Sequence, residues 1–530
     1  MGLQRKGFAV KNFKSLLLVG CGALALSSCG PSDIASPGNG GNVTITNTTT
    51  TPPVVTPTPV STLVTPATGC PTIADGSLTD EGTITGPTGT WRACSLPARI
   101  NKSITLPKVT GLLYRLNGRV DVGTDRGFTK ITTGSLAETA TSTATLTIEP
   151  GVIIYANTGI SWLAVNRGNK INAVGTATQP IIFTSRDNIL GLNTETSQGQ
   201  WGGVVLMGRA RVTDCTTGSV AAGTCERQTE GSADPALYGG ADNADSSGTM
   251  SYVQIRYSGY VLGADKELQS LTPSGIGSGT TLNNIMSYNS SDDGVEFFGG
   301  VANMKNFVSV GADDDSLDVD MGTTGNFQNV LLIQRSAKGD ALMEIDSNGN
   351  EADTPRTTLK ISNLTGLQPE VSTDNEANDQ AAILVRGNSD VTLANSVIST
   401  PKNECLRMNG SGTTPATFAA RSVVMQCNAT KFLGTGSYNA AAVSTAFGSG
   451  ANNNNDSFVT TLTNLFINGA NELAVAAFDP TTLASFFTAV TSIGAVKNAD
   501  DKWYAGWTCN SSTADFGTGN SGACTSIPTK

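Results

Sequence analysis

Three consecutive segments of the chain carry carboxylates at matching positions. Ser291-Asp292-Asp293-Gly294-Val295-Glu296 aligns without gaps on Asp313-Asp314-Asp315-Ser316-Leu317-Asp318 at an offset of 22 residues, and Ala337-Lys338-Gly339-Asp340-Ala341-Leu342 aligns on residues 312–317 at an offset of 25. If the segments stack, Asp293, Asp315 and Asp340 form one column, Asp292 and Asp314 a second, and Glu296 and Asp318 a third. Like charges ~5 Å apart repel by about 1 kcal/mol in water and by several times more at a surface of lower dielectric. Two compensations are open. One is a Ca²⁺ ion, which takes six to eight oxygen ligands, here drawn from Asp292, Asp293, Asp313, Asp314, Asp315, Asp318 and Asp340. Asp346-Ser347-Asn348-Gly349-Asn350 adds a calcium-loop-like run nearby, although Glu351 stands where such a loop needs Gly. The other is pairing: Lys338 falls on the Asp313 position one segment on, Arg335 and Arg356 are close in sequence, and raised carboxyl pKa values and turn hydrogen bonds supply the remainder.

The chain contains no histidine. That removes Ser-His-Asp and Cys-His nucleophile systems, HExxH metalloproteases and most zinc hydrolases. The enzyme class that survives is a Ca²⁺-dependent polysaccharide lyase acting on uronate polymers. There a metal neutralises the uronate carboxyl group and a basic side chain, here Lys338 or Arg335, abstracts the neighbouring proton. Acid columns also arise for structural reasons, so a non-catalytic binding or scaffold surface for a glycan or protein partner is the leading expectation, with a purely structural surface protein as a third. Gly517-Thr518-Gly519-Asn520-Ser521-Gly522 matches a dinucleotide fingerprint in letters only. It follows no strand, opens no helix and reads as a turn.

Columns of side chains require stacked, regularly wound backbone. Asn284, Asn306, Asn329, Asn363, Asn395 and Asn464 each follow an apolar residue by two positions and are soon followed by another, and the first three are spaced by 22 and 23 residues. Their neighbours alternate apolar and polar and are rich in Val and Ile, as in half-buried strands. A pass of about 22 residues is the size of one rung of a stacked β-structure. Asn suits a column because its amide both donates and accepts. Right-handed parallel β-helix proteins, among them the pectate lyases, carry such asparagine ladders, and the chain is similar to them in this respect. The expected fold is therefore all-β: a right-handed parallel β-helix (solenoid) over residues 140–470, with loop insertions at 209–248 and 367–380. Pro480 to Val496 has helical spacing (Leu483, Phe486, Phe487, Val490), with Asp479 as N-cap, and predicts a short helical cap inside residues 471–530.

The N-terminal segment reads as an export signal. Arg5, Lys6, Lys11 and Lys14 precede the short apolar run 15–26, which is too short for a permanent membrane helix. It closes in Leu26-Ser27-Ser28-Cys29, which resembles the lipobox of bacterial lipoproteins. The resemblance implies cleavage after residue 28, lipidation (palmitate) of Cys29 and attachment to the outer membrane or cell surface of a Gram-negative cell. Residues 1–28 carry four cations and no acid, so their removal takes the net charge from −10 to −14. Such a surface repels nucleic acid. Residues 29–68 are rich in Pro, Thr and Gly and read as a disordered tether. Eight further cysteines lie in four close pairs, Cys70 with Cys94, Cys215 with Cys225, Cys405 with Cys427 and Cys509 with Cys524. In an exported protein these read as local disulfides, with zinc the alternative. The first pair belongs to an N-terminal β region or cap, residues 69–139.

Glu149-Pro150-Gly151-Val152-Ile153-Ile154, Gly175 through Thr184, Trp201 through Leu206, Ser291 through Gly300, Gly311 through Ser316, Ile493-Gly494-Ala495 and Trp503 through Trp507 resemble a group of uncharacterised exported bacterial lipoproteins with a β-helix of pectate-lyase-like architecture. The likeness spans about residues 110–508. Some members of that group accompany TonB-dependent outer-membrane receptors, which implies such a receptor or a polysaccharide as partner.

Overall fold

The computed structural model describes residues 63–529, apart from 231, 233–234, 264–265, 348–353, 372–380 and 411–413. Cys29, the export signal, the tether up to residue 62, and most of the 367–380 insertion lie outside the described residues.

The strands form two long rows joined in parallel, and a shorter third row, Ile104–Leu106, Thr145–Ile148 and Lys170–Val174, merges into the first at Gly248–Arg256. One row runs Gly89–Ser95, Leu112–Leu116, Ile153–Ala156, Ile181–Ser185, Gly248–Arg256, Thr281–Tyr288, Glu296–Val310, Thr324–Ile333, Thr358–Leu367, Asp390–Thr400 and Thr417–Cys427. The other begins at Arg99–Ile100 and runs through Arg119–Val122, Trp162–Val165, Gly203–Met207, Leu271–Ile276, the first residues of Glu296–Val310, Asp318–Asp320, Met343–Ile345, Ile383–Val385 and Leu406–Gly410 to Phe432–Gly436. Parallel pairing already begins at Gly89, inside the segment assigned from sequence to a separate N-terminal region. Thr79–Gly86 lies antiparallel on that first strand.

Equivalent residues stack because each pass repeats the same alternation. Ile285, Phe307, Val330 and Leu364 are successive partners in the first row and all are buried. One apolar interior takes side chains from both rows, Val204, Val295 and Val319 as well as Ile285 and Phe307. Burying each such side chain contributes about 1.5–3 kcal/mol.

Asparagines mark the bend in five successive first-row strands, from Thr281–Tyr288 to Asp390–Thr400, and Tyr252 and Ser422 take the same place in the strands on either side. Asn284, Asn306, Asn329, Asn363 and Asn395 all adopt positive φ, between 49° and 61°. Asn tolerates that left-handed conformation better than other L-residues. Asn329 donates through Nδ2 to Asn306 Oδ1 at 2.9 Å, and Asn306 donates to Asn284 Oδ1 at 3.4 Å and to Asn283 Oδ1 at 3.1 Å. The upper rungs turn to a different partner. Asn363 donates to the carbonyls of Ser492 and Gly494, and Asn395 to that of Phe478. Asn464 is not a rung: it sits in the turn bridged by Thr463 and Ile467 and donates to Asp515 O.

The four disulfides are those expected, Cys70–Cys94, Cys215–Cys225, Cys405–Cys427 and Cys509–Cys524. The C-terminal cap differs from expectation. The helix predicted over 480–496 is only a 3₁₀ turn, Pro480–Thr482, which Asp479 does cap. Side chains of the sheet supply the hydrogen bonds that a helix would have made internally. Gln328 and Thr488 exchange a donor and an acceptor, Lys360 donates to Leu483 O, and Gly494 N donates to Asn395 O. Tertiary contacts override the local pattern. The helix next to the last strands is instead Ala440–Phe447, capped by Asn439, with Phe447 packed on Phe432. The remaining chain runs back along the first row towards the early strands, where Trp507 O and Cys524 O accept from Gln254 and Arg256.

Candidate functional site

Three successive first-row strands, Thr281–Tyr288, Glu296–Val310 and Thr324–Ile333, leave through short turns into the second row, and these turns hold the acidic segments. Backbone bonds stack these turns: Asp313 N donates to Ser290 O, Gly294 N to Asp315 O, and Asp340 N to Asp314 O. Gly294 is required by this closeness, since a Cβ there would meet Ser309 Oγ at 2.3 Å and Ser316 O at 2.5 Å. Asp293 Oδ1 accepts from Asp315 N, 22 residues on, and Asp315 Oδ1 accepts from Ala341 N, 26 residues on.

The second offset is therefore 26, not the 25 of the ungapped alignment. Asp340 follows Asp314, not Asp315, and the Asp293–Asp315 column ends on Ala341. The third column lengthens, because Glu296 pairs in register with Asp318 and Asp318 with Glu344. The extra residue is absorbed where Ala337 and Gly339 take positive φ, 59° and 84°.

These columns wall a cleft of about 410 Å³. Asp292, Asp293, Glu296, Asp313, Asp314, Asp315, Asp318, Asp340 and Glu344 line it, and Glu230, Glu267, Gln269 and Arg386 join them. Sequence reading reached the residues contributed by the repeat and missed these four together with Glu344. A search at spacing 26 finds Glu344, whereas the other four come from an inserted loop, a neighbouring strand end and a later pass, and carry no local signal.

The charges divide into two groups. Asp313 is paired: it meets Arg335 at 3.0 Å, Lys338 at 3.8 Å and Gln198 Nε2 at 2.5 Å. Arg386 bridges Glu344 at 2.6 Å and Asp346 at 2.7 Å. In the second group, Asp292, Asp293 and Asp314 bring ligand oxygens within 4.8 Å of one another, and so do Asp293, Glu296 and Asp318. Asp318 Oδ1 is buried without a hydrogen-bond partner. Burial first, and neighbouring carboxylates second, hold Asp292, Asp293, Glu296, Asp315 and Asp318 well above the usual carboxylate range. Burial and Asp346 push Asp320 up to about 7.

The donor set fits a hard divalent cation. It consists of carboxylate oxygens with no imidazole or thiolate, the chemistry of Ca²⁺ rather than of zinc or copper. Asp292, Asp293, Glu296, Asp314 and Asp318 are the residues that would hold it. The calcium-loop-like run contributes Asp346 to Arg386, and its residues 348–350 lie outside the described residues. Both candidate bases, Lys338 and Arg335, pair with Asp313, and Arg335 is buried.

Parallel rows of strands, an asparagine ladder and a polar cleft on the turns define a β-helix domain. The family model of the pectate-lyase-like β-helix domain matches residues 131–508, and the chain belongs to that family. Searches of curated proteins and of solved structures returned no match.

Proposed function

We propose that this protein is a lipid-anchored cell-envelope binding module, a right-handed solenoid that holds an acidic glycan at a Ca²⁺-loaded cleft. The observation that carries it is the carboxylate cleft itself. Its second group of acids converges on shared points, and a dication offsets what burial and mutual repulsion cost. When bound, calcium supplies positive charge and open coordination positions for ligand oxygens. The walls of the cleft are polar, unlike the aromatic anchors that centre most protein–protein interfaces, which favours a glycan over a receptor as the direct ligand. Attachment to the outer membrane is supported by the cationic start of the chain and by Leu26-Ser27-Ser28-Cys29.

The family and the presence of Arg386 at the cleft support a lyase as the second reading. Against it stands the pairing of Lys338, Arg335 and Arg386 with carboxylates, since a proton-abstracting base needs a free lone pair. The test is binding of polyuronate oligosaccharides to the mature, detergent-solubilised lipoprotein, with calcium and with chelator. Calcium-dependent binding without cleavage is expected. Formation of unsaturated uronate ends would replace this reading with the lyase, and equal binding in chelator would remove the role of the cleft. Co-purification with a TonB-dependent receptor in the absence of glycan binding would make the receptor the partner.

A further inference from the structure

We propose that Arg407 is a second, cationic subsite for the acidic glycan, taking one of its carboxylates beyond the cleft, so that the bound chain runs along the stack towards the C-terminal passes. The inference rests on the glycan-binding reading and adds to it a direction and a contact residue.

The register places Arg407. Glu296, Asp318, Glu344, Leu384 and Arg407 are successive partners in the second row. Leu406 and Met408, on either side of Arg407, turn into the apolar interior, as do the residues on either side of Glu296 and Asp318. Side chains alternate along a strand, so these five project from the outer face as one column. Its first three members wall the cleft, and Glu296 and Asp318 form the second carboxylate triad with Asp293. At ~4.8 Å per rung, the backbone of Arg407 lies about 14 Å from that of Asp318. A cation held by the triad and the guanidinium of Arg407 thus lie on one face, in line with the stack.

Bonding singles Arg407 out. Among the described residues the buried arginines are Arg167, Arg209, Arg256, Arg335 and Arg407. Arg167, Arg209 and Arg335 meet carboxylates, and Arg256 donates to oxygens of Gln254, Cys524 and Ser526. Arg407 is only 7% exposed, and its one hydrogen bond or ion pair among the described residues runs from Nε to Asn409 Oδ1 at 2.9 Å. A guanidinium carries five N–H donors, and buried polar groups are ordinarily satisfied. The donors of its two terminal nitrogens are left for an acceptor. Glu344, the nearest acid of the column, pairs with Arg386 at 2.6 Å, and buried Leu384 separates it from Arg407.

The missing acceptor has a defined chemistry. The planar fork of a guanidinium holds a carboxylate by two parallel bonds. With the cation bound, the face offers two positive points in line. A chain that bears carboxylates at regular intervals meets both, and a neutral chain meets neither.

The test is binding of short and long polyuronate oligomers to the full mature protein in saturating calcium, by calorimetry, with Arg407→Gln and Arg407→Lys beside the native chain. Affinity of the native protein is expected to rise by about tenfold or more once the oligomer spans both points. Arg407→Gln is expected to lose that rise while binding calcium and the shortest oligomer as the native protein does. Arg407→Lys, a charge without the fork, is expected to keep part of it. The same length dependence in the native protein and in Arg407→Gln would overturn the subsite and leave calcium-dependent binding standing. A loss in Arg407→Gln that is equal for short and long oligomers and comes with a lower Tm would also overturn it, giving Arg407 a structural role. Absence of calcium-dependent binding in the native protein would overturn the glycan reading together with the subsite.

Discussion

Asp318→Asn is expected to stabilise the metal-free protein while reducing what calcium adds to it. Asp318 lies between Glu296 and Glu344 in strict register, and paired strands are ~4.8 Å apart. At an effective dielectric of about 20, each neighbouring charge costs about 3 kcal/mol. Protonation limits the damage, because neutralising an ordinary aspartate at pH 7 costs about 4 kcal/mol and a more strained one takes up the proton instead. Removing the charge therefore recovers about 1–4 kcal/mol, the lower end reflecting the attraction of Arg386. With an unfolding entropy of about 2 cal/mol/K per residue over some 470 folded residues, Tm in chelator rises by about 1–4 °C. In excess calcium the order shifts the other way. A site at a hundred times its Kd adds about 2.7 kcal/mol to the native protein, and the variant lacks the share of the second triad. Thermal unfolding followed by circular dichroism, with chelator and with calcium, measures both. A fall in Tm of the variant in chelator would refute the reasoning, since it would mean that Asp318 is held by favourable contacts rather than strained by its column.

The pH dependence of the metal-free protein follows from the same crowding. Asp320, at about 7 in the folded chain against 3.8 ordinarily, holds a proton that the unfolded chain releases, so stability falls as pH rises from about 4 to about 7 and this group alone accounts for about 4 kcal/mol; denaturant unfolding in chelator across that window checks it, and stability rising with pH would contradict it. Asn395 joins the ladder to the returning C-terminal segment by donating to Phe478 O at 2.9 Å and accepting from Phe478 N at 2.7 Å, at a φ of 49°. Asn395→Ala is expected to cost about 3 kcal/mol through the buried groups left without partners, and Asn395→Gly about 1 kcal/mol less because glycine adopts that φ without strain, a difference that urea unfolding of the two variants resolves.

The repeat was readable because the left-handed bend is filled by asparagine in five successive passes, the first three at spacings of 22 and 23, and the apolar column beside it keeps the same spacing. The disulfides were readable because both partners of each pair lie within one excursion of the chain. Reading failed where one residue was gained without a visible gap. Ala337 and Gly339 absorb it in positive-φ backbone, and the shift moved Asp340 beside Asp314 and brought Glu344 into the third column. It failed again over 480–496, where Leu483, Phe486 and Phe487 imitate a helical face but Gln328, Lys360 and Asn395 of the sheet take the backbone hydrogen bonds. Asn464 satisfied the pattern of the ladder and yet lies in a turn, since two apolar neighbours cannot specify which sheet a segment joins.

By itself the sequence determined the parallel β-architecture, the four disulfides and the acidic turns, because each depends on residue types repeated at short or regular spacing. Only the tertiary structure decided which carboxylates face one another, that Arg335 and Lys338 serve Asp313, and that Glu230, Glu267 and Arg386 complete the cleft. The physical reason is that stacking joins residues one whole pass apart. A single added residue in a pass changes every neighbour after it, and loops from distant passes enter with no period to announce them.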